Sequence, residues 1–444
     1  KNRNVIHRWI NDPKDQDVKL MTQKNTLEII TQESDYDPNS MPVDKARSYM
    51  GAFLDPVTSS ECVSVRDALG RILSQDVISP VNVPQHDNSA MDGYAVRSLD
   101  LTTDEKTELN IVGTAFAGKP FDGVIKKGES IRIMTGAVIP EGADTVIMQE
   151  RAEKIDNCVR VDFFQKGSNT RKTGEDLKLG SAALQKGHKV RPADLGLIAS
   201  LGIPEVSVYR KLRVAFFSTG DELVGVGNSL EEGQIYDSNR YTIFGMLTEL
   251  GCELIDMGVI KDTPEAVEAA FRDSTSIADV VITSGGVSVG EADFVKPMLQ
   301  KIGEVLFWKI AMKPGRPLAF GKVGRSHFFG LPGNPVAVMV TFYQFVQSAL
   351  KTLQGQVMRT PSPMFKARCT GPLKKAPGRT EFQRGILSQT PAGEWTVKPT
   401  GDQGSGILSS MSQAHCFIVL PTDMGKVDAN ELVDVQLIRG LIDS

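Results

Sequence analysis

The segment 283–294, TSGGVSVGEADF, has the composition of a phosphate-binding loop. Gly285 and Gly286 can adopt backbone conformations that other residues avoid, and they let backbone N–H groups approach a ligand closely. Ser284 and Ser288 add hydroxyl donors, and a helix starting after the segment would present its positive end. These residue types predict a phosphate site, although two glycines after a strand often form only a turn.

Two acids, Glu222 and Asp293, are candidate ligands of a hard cation. A carboxylate beside a phosphate would repel it unless a cation lay between them, and Mg²⁺ prefers oxygen ligands and bridges phosphate oxygens. The alternative is that acids near a helix start only favour its dipole. Glu222 belongs to STGDEL (218–223), after a different predicted strand, and the two loops together favour a functional site. The same loop offers phosphate donors at Ser218, Thr219 and Gly220.

Two further loops follow predicted strands of the same region. Asp262 comes directly after ELIDMGVI, and its role is ambiguous from chemistry alone. GLPGNPV (330–336) has two prolines that stiffen it and two glycines that expose backbone N–H groups. It is either an anion-facing loop or a plain exit from a hairpin, and its chemistry leaves both open. Its candidate binding residues are Pro332, Gly333, Asn334 and Pro335.

A group of basic and hydroxyl residues could bind a small oxyanion. Lys309 and Lys313 are four apart on a predicted strand, which would point both to one face. Arg316 follows them, and Arg384 and Ser405 come from the last part of the chain. Each by itself is more often solvated surface. As a set they predict a pocket for a tetrahedral oxyanion, because a guanidinium offers a planar fork and a lysine a point charge.

Three candidate residues lie in the first half of the chain. Asp92 occurs in DNSAMDGYAV, Asp176 in KTGED and Thr135 in RIMTGAVIPEGAD, all of them glycine-containing segments. They fall outside the region of strand–helix alternation. If they are functional, we expect them to reach the site across a domain or subunit boundary.

Composition narrows the class of protein. The 444 residues carry a formal charge of −4, which argues against a nucleic-acid binder or a membrane-surface binder. Five cysteines and five histidines show no metal-ligand spacing, and we expect reduced, mostly buried thiols in a cytoplasmic protein. The longest apolar run, near 336–346, is too short to cross a bilayer, which needs about 20 residues.

The order of predicted elements indicates four domains behind an N-terminal extension. Strands and helices alternate over 211–360, which predicts a doubly wound parallel α/β sheet with ligands at the carboxyl ends of its strands. Short β-prone runs separated by turns predict a β-rich domain and a C-terminal β-barrel. The boundaries are 1–40 for the extension, 41–80 with 172–210 for a mixed domain, 81–171 for the β-rich domain, 211–360 for the α/β domain and 361–444 for the barrel.

Six motifs together resemble the molybdopterin molybdotransferases, the molybdenum-insertion enzymes of molybdenum cofactor synthesis, which are similar to the C-terminal domain of gephyrin. They are, in order, DNSAMDGYAV, IMTGAVIPEGAD, STGDEL, SGGVSVGEADF, KPGRPLAFG and GLPGNPV. The resemblance covers about residues 41–440. The first forty residues have no counterpart in it, and TGDQGSG carries Asp402 and Gly406 where the family suggests more polar or basic residues.

The resemblance implies a homodimer of four-domain subunits, with the third domain resembling molybdopterin adenylyltransferase. It implies that adenylylated molybdopterin and molybdate give molybdenum cofactor and AMP with Mg²⁺ or another divalent cation, and that an upstream adenylyltransferase is a possible partner. It also assigns functional positions to twelve residues: Asp92, Thr135, Asp176, Glu222, Asp262, Asp293, Lys309, Lys313, Pro332, Pro335, Arg384 and Ser405.

Two other functions fit parts of the sequence. The α/β domain alone would suit the adenylyltransferase step that makes the substrate. A gephyrin-like scaffold is the alternative from a different class, although no fused second enzyme domain or long Pro/Ser linker is present in the sequence.

Overall fold

The computed structural model describes residues 40–286, 295, 298–299, 303–357 and 363–438, with side chains throughout except at 306–308. Two compact units form. One is Ser60–Val208, and the other combines the described parts of Lys1–Ser59 and Tyr209–Ser444. Ser288 and Asp293, two of the predicted site residues, lie outside the described residues.

A six-stranded sheet forms the centre of the larger unit. Its strands lie in the order Glu253–Ile260, Arg213–Thr219, Val280–Ser284, Ser326–Leu331, Pro317–Val323, Gly303–Lys309. The first four are parallel, which confirms the prediction of an α/β domain. Pro317–Val323 runs antiparallel to both of its neighbours, Ser326–Leu331 and Gly303–Lys309, and the short link at Gly324–Arg325 joins it to Ser326–Leu331 as a hairpin. The sheet is therefore mixed rather than wholly parallel.

Helices cover this sheet, and their ends match sequence signals. The side chains of Asp237 and Thr263 accept hydrogen bonds from the backbone of the helices that follow them. The helical segments are Ser238–Glu249, Pro264–Ile277 and the continuous run of Pro335–Thr341, a π-helical turn at Phe342–Val346 and Gln347–Leu353. A short parallel pair, Leu223–Val224 with Ile235–Tyr236, precedes the first of them.

An N-terminal helix, Val43–Ala52, also belongs to the larger unit. It buries Val43, Ala46 and Met50 in the same core as the sheet strands. Residues 41–59 therefore differ from the sequence prediction, which placed them in one domain with 60–80. Sequence periodicity identifies the apolar face of a helix but not which core that face enters.

The C-terminal region is a closed five-stranded barrel, as predicted. Thr380–Gln389 pairs on one side with Trp395–Pro399 and on the other with Cys416–Leu420, so the ring closes. Its other strands are Met364–Cys369 and Leu432–Leu437, and a short helix, Leu408–Ser412, lies between two of its strands. Phe382 and Phe417 of the barrel lie in the same apolar core as the central sheet.

The smaller unit is mainly β-structure. Its six-stranded sheet has the order Thr145–Met148, Gly93–Val96, Glu129–Ile133, Thr107–Ala115, Cys158–Val161, Ala152–Ile155. The smaller unit also contains three two-stranded sheets: Ser60–Ser64 with Glu205–Tyr209, Val77–Ile78 with Ala182–Leu184, and Asn88–Ser89 with Thr170–Arg171. The helix Pro192–Ser200 and the 3₁₀ turns Arg66–Ala68, Ser98–Asp100 and Gln149–Arg151 complete it.

The described residues bear on two expectations from composition. Their helices include none with the length and apolar character needed to cross a membrane. All five cysteines are free, with three buried, one half-buried and one exposed. Burial raises the pKa of the Cys416 thiol to about 12, so this thiol stays protonated at neutral pH.

Candidate functional site

A cavity of about 560 Å³ lies at the carboxyl ends of the parallel strands, between the sheet and the barrel. The strand ends leave backbone groups and helix starts facing one edge, which is where open α/β sheets bind ligands. Eleven of the predicted site residues line it: Thr219, Gly220, Glu222, Asp262, Gly285, Gly286, Lys313, Pro332, Gly333, Asn334 and Ser405. The tertiary structure thus gathers residues from six separate segments of the chain.

Two predicted hydroxyl donors serve the scaffold rather than the cavity. Ser218 Oγ is buried and donates to Asp237 Oδ1 at 3.0 Å. Ser284 Oγ is also buried and accepts from Asn239 Nδ2 at 2.8 Å, while the same amide donates to the carbonyl of Gly333 at 2.6 Å. The side chain of Asn239, which sequence reasoning missed, therefore ties two cavity loops together.

Gly285 is required by the geometry of the strand end. Its φ is +90°, and a Cβ there would lie 2.7 Å from the carbonyl oxygen of Thr219. The neighbouring Gly286 has a φ of +69°, and a Cβ would collide with Val295. Only glycine combines this conformation with this approach, so the loop presents bare backbone at the cavity as the sequence predicts.

A cluster of acids stands at one side of the cavity. Asp262 Oδ1 is buried and has no hydrogen-bond partner among the described residues. Burial, and then the negative charges of Asp221 and Glu222, raise the pKa of Asp262. A buried carboxylate oxygen without a donor, beside two further acids, fits the ligand set of a hard divalent cation.

Glu222 lines the cavity as expected, and its predicted partner Asp293 lies outside the described residues, so the predicted pair stays a prediction. Asp262 offers another carboxylate at the cavity. Within the part of the chain that is described, no group of three or more acids, histidines or cysteines could hold an ion. Two carboxylates still suit Mg²⁺, which usually keeps several waters and binds substrate phosphates.

Three basic residues, Lys313, Arg316 and Arg379, also line the cavity and form its basic wall. Lys313 Nζ is 3.7 Å from Glu381 Oε1, and Arg316 Nε donates to Ser40 Oγ at 3.2 Å. Arg379 also lines this wall and was missed by the sequence reasoning. Its only sequence signal is its position just before the EFQRG strand, in GRTEFQRG.

Lys309 is not among the residues that line the cavity, which corrects the prediction that it shares a face with Lys313. The strand Gly303–Lys309 ends there, and the next begins at Met312. Between them the chain turns, because Ile310 N donates to the carbonyl of Arg316 at 2.7 Å and Met312 N donates to that of Ile310 at 2.8 Å. The two lysines are therefore not on one strand.

Arg384 is a second correction. Its side chain is 1% exposed, and Nε donates to Ser410 Oγ at 3.0 Å. The rest of the guanidinium donates to backbone carbonyls of Gln403 at 3.2 Å, Gly404 at 3.0 Å and Asp402 at 3.5 Å. These bonds occupy the planar fork, so Arg384 holds the loop 402–404 and does not face an anion in this structure.

The loop held by Arg384 carries Ser405 to the cavity. Gln403 Oε1 accepts from the backbone N–H of Arg384 at 2.7 Å, and the carbonyl of Ser405 accepts from Val336 N at 3.0 Å. The second bond joins the barrel to the first turn of the helix that begins at Pro335. Pro335 itself starts this helix and does not line the cavity, whereas Pro332, Gly333 and Asn334 do.

The three predicted residues of the first half belong to the smaller unit. Asp92 Oδ1 accepts from both the backbone N–H and the hydroxyl of Thr135, each at 2.7 Å. The backbone N–H of Thr135 lowers the pKa of Asp92 most, and the hydroxyl of Thr135 lowers it further. Asp176 is exposed, and its backbone N–H donates to the carbonyl of Val83. Their participation in the site stays a prediction.

Comparison with known families matches nearly the whole described chain. Residues 41–202 match the family described as MoeA N-terminal region (domain I and II). Residues 215–352 match a probable molybdopterin binding domain, and 366–438 match the MoeA C-terminal region (domain IV). The chain is therefore a multidomain protein, and its central α/β domain is of the type described as a probable molybdopterin binding domain.

Individual relatives support the same family assignment. A molybdopterin molybdenumtransferase of Haemophilus influenzae is 48% identical over 404 residues, which is 90% of this chain and 100% of that protein. One from Nostoc sp. is 37% identical over 382 residues, 83% of this chain and 86% of its own. A crystal structure of a molybdopterin biosynthesis moeA protein from Pyrococcus horikoshii has a TM-score of 0.77 at 28% identity, covering 90% of this chain and 100% of that one. The chain belongs to the molybdopterin molybdenumtransferase family.

Proposed function

We propose that this chain transfers molybdenum from molybdate to adenylylated molybdopterin and releases AMP. The observation that carries the proposal is the composition of the cavity between the sheet and the barrel. Its lining combines bare glycine backbone and the carboxylates of Glu222 and Asp262 with the cations Lys313, Arg316 and Arg379. The first set suits a phosphoanhydride with a divalent cation, and the second suits a small oxyanion such as molybdate.

The chain's own residues would position reactants and balance charge. Gly220, Gly285 and Gly286 line the cavity, and their backbone N–H groups would hold phosphate groups. The basic wall would hold molybdate, and Ser405 adds a hydroxyl beside it. Positioning of this kind is the main protein contribution in phosphoryl-group chemistry.

We propose that Glu222 and Asp262 hold a divalent cation, Mg²⁺ being the first candidate. When bound, such an ion neutralises phosphate charge and the charge that develops on the leaving group. The supporting observation is the unpartnered buried oxygen of Asp262 beside two further acids. Titration of Mg²⁺ followed by calorimetry should show weaker binding in Glu222→Gln and Asp262→Asn than in Glu232→Gln, an exposed acid of the same region that does not line the cavity.

Release of AMP tests the reaction. Purified protein, Mg²⁺ and adenylylated molybdopterin are incubated with and without molybdate, and AMP is measured by chromatography. We expect AMP only when molybdate is present, and a large loss of rate in Ser405→Ala. Pyrophosphate formed from ATP and metal-free molybdopterin would instead identify an adenylyltransferase, and AMP release that ignores molybdate would contradict the proposal.

We further propose a cytoplasmic homodimer that receives its substrate from an upstream adenylyltransferase. Large apolar side chains are exposed around the first helix of the α/β domain, among them Ile235, Tyr236, Tyr241 and Phe244. The free cysteines suit a reducing compartment. Light scattering should give twice the chain mass of 48.3 kDa, and a monomer at micromolar concentration would contradict the dimer. Cell fractionation tests the compartment, and co-purification tests the partner.

A further inference from the structure

We infer that Arg379 binds the oxyanion substrate directly, as the guanidinium of the basic wall that the fold leaves available. This inference rests on the proposed function, because it assigns a ligand to the oxyanion part of the same cavity. Neither the family resemblance nor the sequence reasoning singled out this residue. Three observations carry it: the availability of its side chain, the charge around it and the anchoring of its backbone.

The first observation is availability. Arg384 has its fork occupied by Ser410 and by the carbonyls of the loop 402–404. Arg316 is partly occupied, since its Nε donates to Ser40 Oγ. Arg379 lines the cavity, is exposed, and makes no side-chain hydrogen bond or ion pair with any residue that the structure describes. Its donors are free to make the paired bonds that guanidinium groups form with oxyanions.

The second observation is charge. Lys375 lies near Arg379 and Lys313, and its amine donates to the carbonyls of Ala376 at 2.8 Å and Met424 at 3.2 Å. Glu381 is 4% exposed, and its carboxylate lies 3.7 Å from Lys313 and accepts from Gln383. Cations thus crowd one buried acid, and an anion at this wall would relieve their mutual repulsion.

The third observation is the backbone on either side of Arg379. Gly378 N donates to the carbonyl of Thr422 at 2.8 Å, and Gly378 takes a φ of +106°. Thr380 N donates to the carbonyl of Ala311 at 2.9 Å, and Thr380 pairs with Met312 in a parallel ladder. Arg379 is therefore held next to the segment that carries Lys313. Its main chain is already fixed, so an anion that binds there would have to order only the side chain.

The test compares Arg379→Ala, Arg379→Lys and a matched control, Arg272→Ala. Arg272 is an exposed arginine of the helix Pro264–Ile277 and does not line the cavity. Two quantities are measured on the full chain: the Kd for sodium molybdate by calorimetry, and the apparent KM for molybdate in the AMP-release assay with adenylylated molybdopterin saturating. Melting temperatures of all three variants should match wild type, because Arg379 holds nothing in the fold.

We expect Arg379→Ala to raise the Kd and the KM for molybdate by about tenfold to a hundredfold, the effect of one lost charge-assisted interaction. The KM for adenylylated molybdopterin should change little. Arg379→Lys should recover part of the loss, because it keeps the charge without the fork. Arg272→Ala should behave as wild type.

The possible failures are distinguishable. If Arg379→Ala has the wild-type KM and Kd for molybdate, the inference about Arg379 is wrong while the proposed reaction stands. An equal rise in the KM for both substrates would also overturn it, since that indicates a general effect on the cavity. If wild type releases no AMP with molybdate, the proposed function fails, and the Kd alone then decides whether Arg379 binds the anion.

Discussion

Replacing Arg384 with methionine should lower the stability of the barrel and of the loop 402–404 in the ligand-free protein. Methionine keeps much of the length of the side chain but removes every donor. The carbonyls of Gln403 and Gly404, which now accept at 3.2 and 3.0 Å, would lose their partner in a buried place. Ser410 Oγ would lose one too.

The size of the effect follows from opposing contributions. A hydrogen bond from a charged donor contributes about 1.5–3 kcal/mol, and three good ones are lost. Part of this is offset, because burial disfavours the guanidinium charge and lowers the pKa of Arg384. We therefore expect the free energy of unfolding to fall by about 3 kcal/mol in Arg384→Met. It should fall by about 1–2 kcal/mol more in Arg384→Ala, because that change also leaves a cavity.

Hydrogen exchange measured by mass spectrometry resolves this effect locally. A loss of about 3 kcal/mol speeds exchange through the opened barrel more than a hundredfold, since each 1.4 kcal/mol is about tenfold. The acceleration should appear in the strand Thr380–Gln389 and in the loop 400–405. Arg368→Met is the matched control, because Arg368 lies in another barrel strand, Met364–Cys369, and its side chain donates to the carbonyl of Asn430. Exchange in Arg384→Met no faster than in this control would refute the structural role.

Three other predictions concern single residues. His327 is 7% exposed, and burial, followed by the charge of Lys322, lowers its pKa from 6.5 to about 4. As pH falls, the imidazole of His327 is protonated in the unfolded chain before it is protonated in the folded one, so the free energy of unfolding should fall by about 3 kcal/mol between pH 6.5 and pH 4. Urea unfolding of His327→Gln should lack this contribution to the pH dependence. Gly285→Ala should cost about 1–3 kcal/mol in thermal unfolding, because of its φ and the carbonyl of Thr219, whereas Gly333→Ala meets no atom within 4 Å and should cost less than about 0.5 kcal/mol. Asp262→Asn should stabilise the metal-free protein by about 1 kcal/mol and abolish the rise in melting temperature on adding Mg²⁺; a normal Mg²⁺ response would contradict its role as a ligand.

Sequence reasoning predicted those parts of the fold that local signals encode. Strand–helix alternation predicted the α/β domain, and short β-prone runs predicted the barrel. In the structure Asp237 and Thr263 cap two helices and Pro335 begins a third, and capping signals of this kind are also local. The antiparallel edge of the sheet and the core entered by Val43–Ala52 were not predicted, because both depend on contacts between segments distant in sequence.

For the site, the sequence by itself determined the glycine-rich strand ends. Gly285 and Gly286 take φ values of +90° and +69°, and the preference of glycine for such a backbone conformation is local. The tertiary structure decided which cations meet the cavity. Arg379 and Arg384 are five residues apart, and only their long-range partners distinguish them: Arg384 is held by the loop 402–404 and Ser410, while Arg379 is left facing the cavity. Residue type and spacing do not show whether a charged side chain is already satisfied by partners elsewhere in the chain, and that decides whether it can bind a ligand.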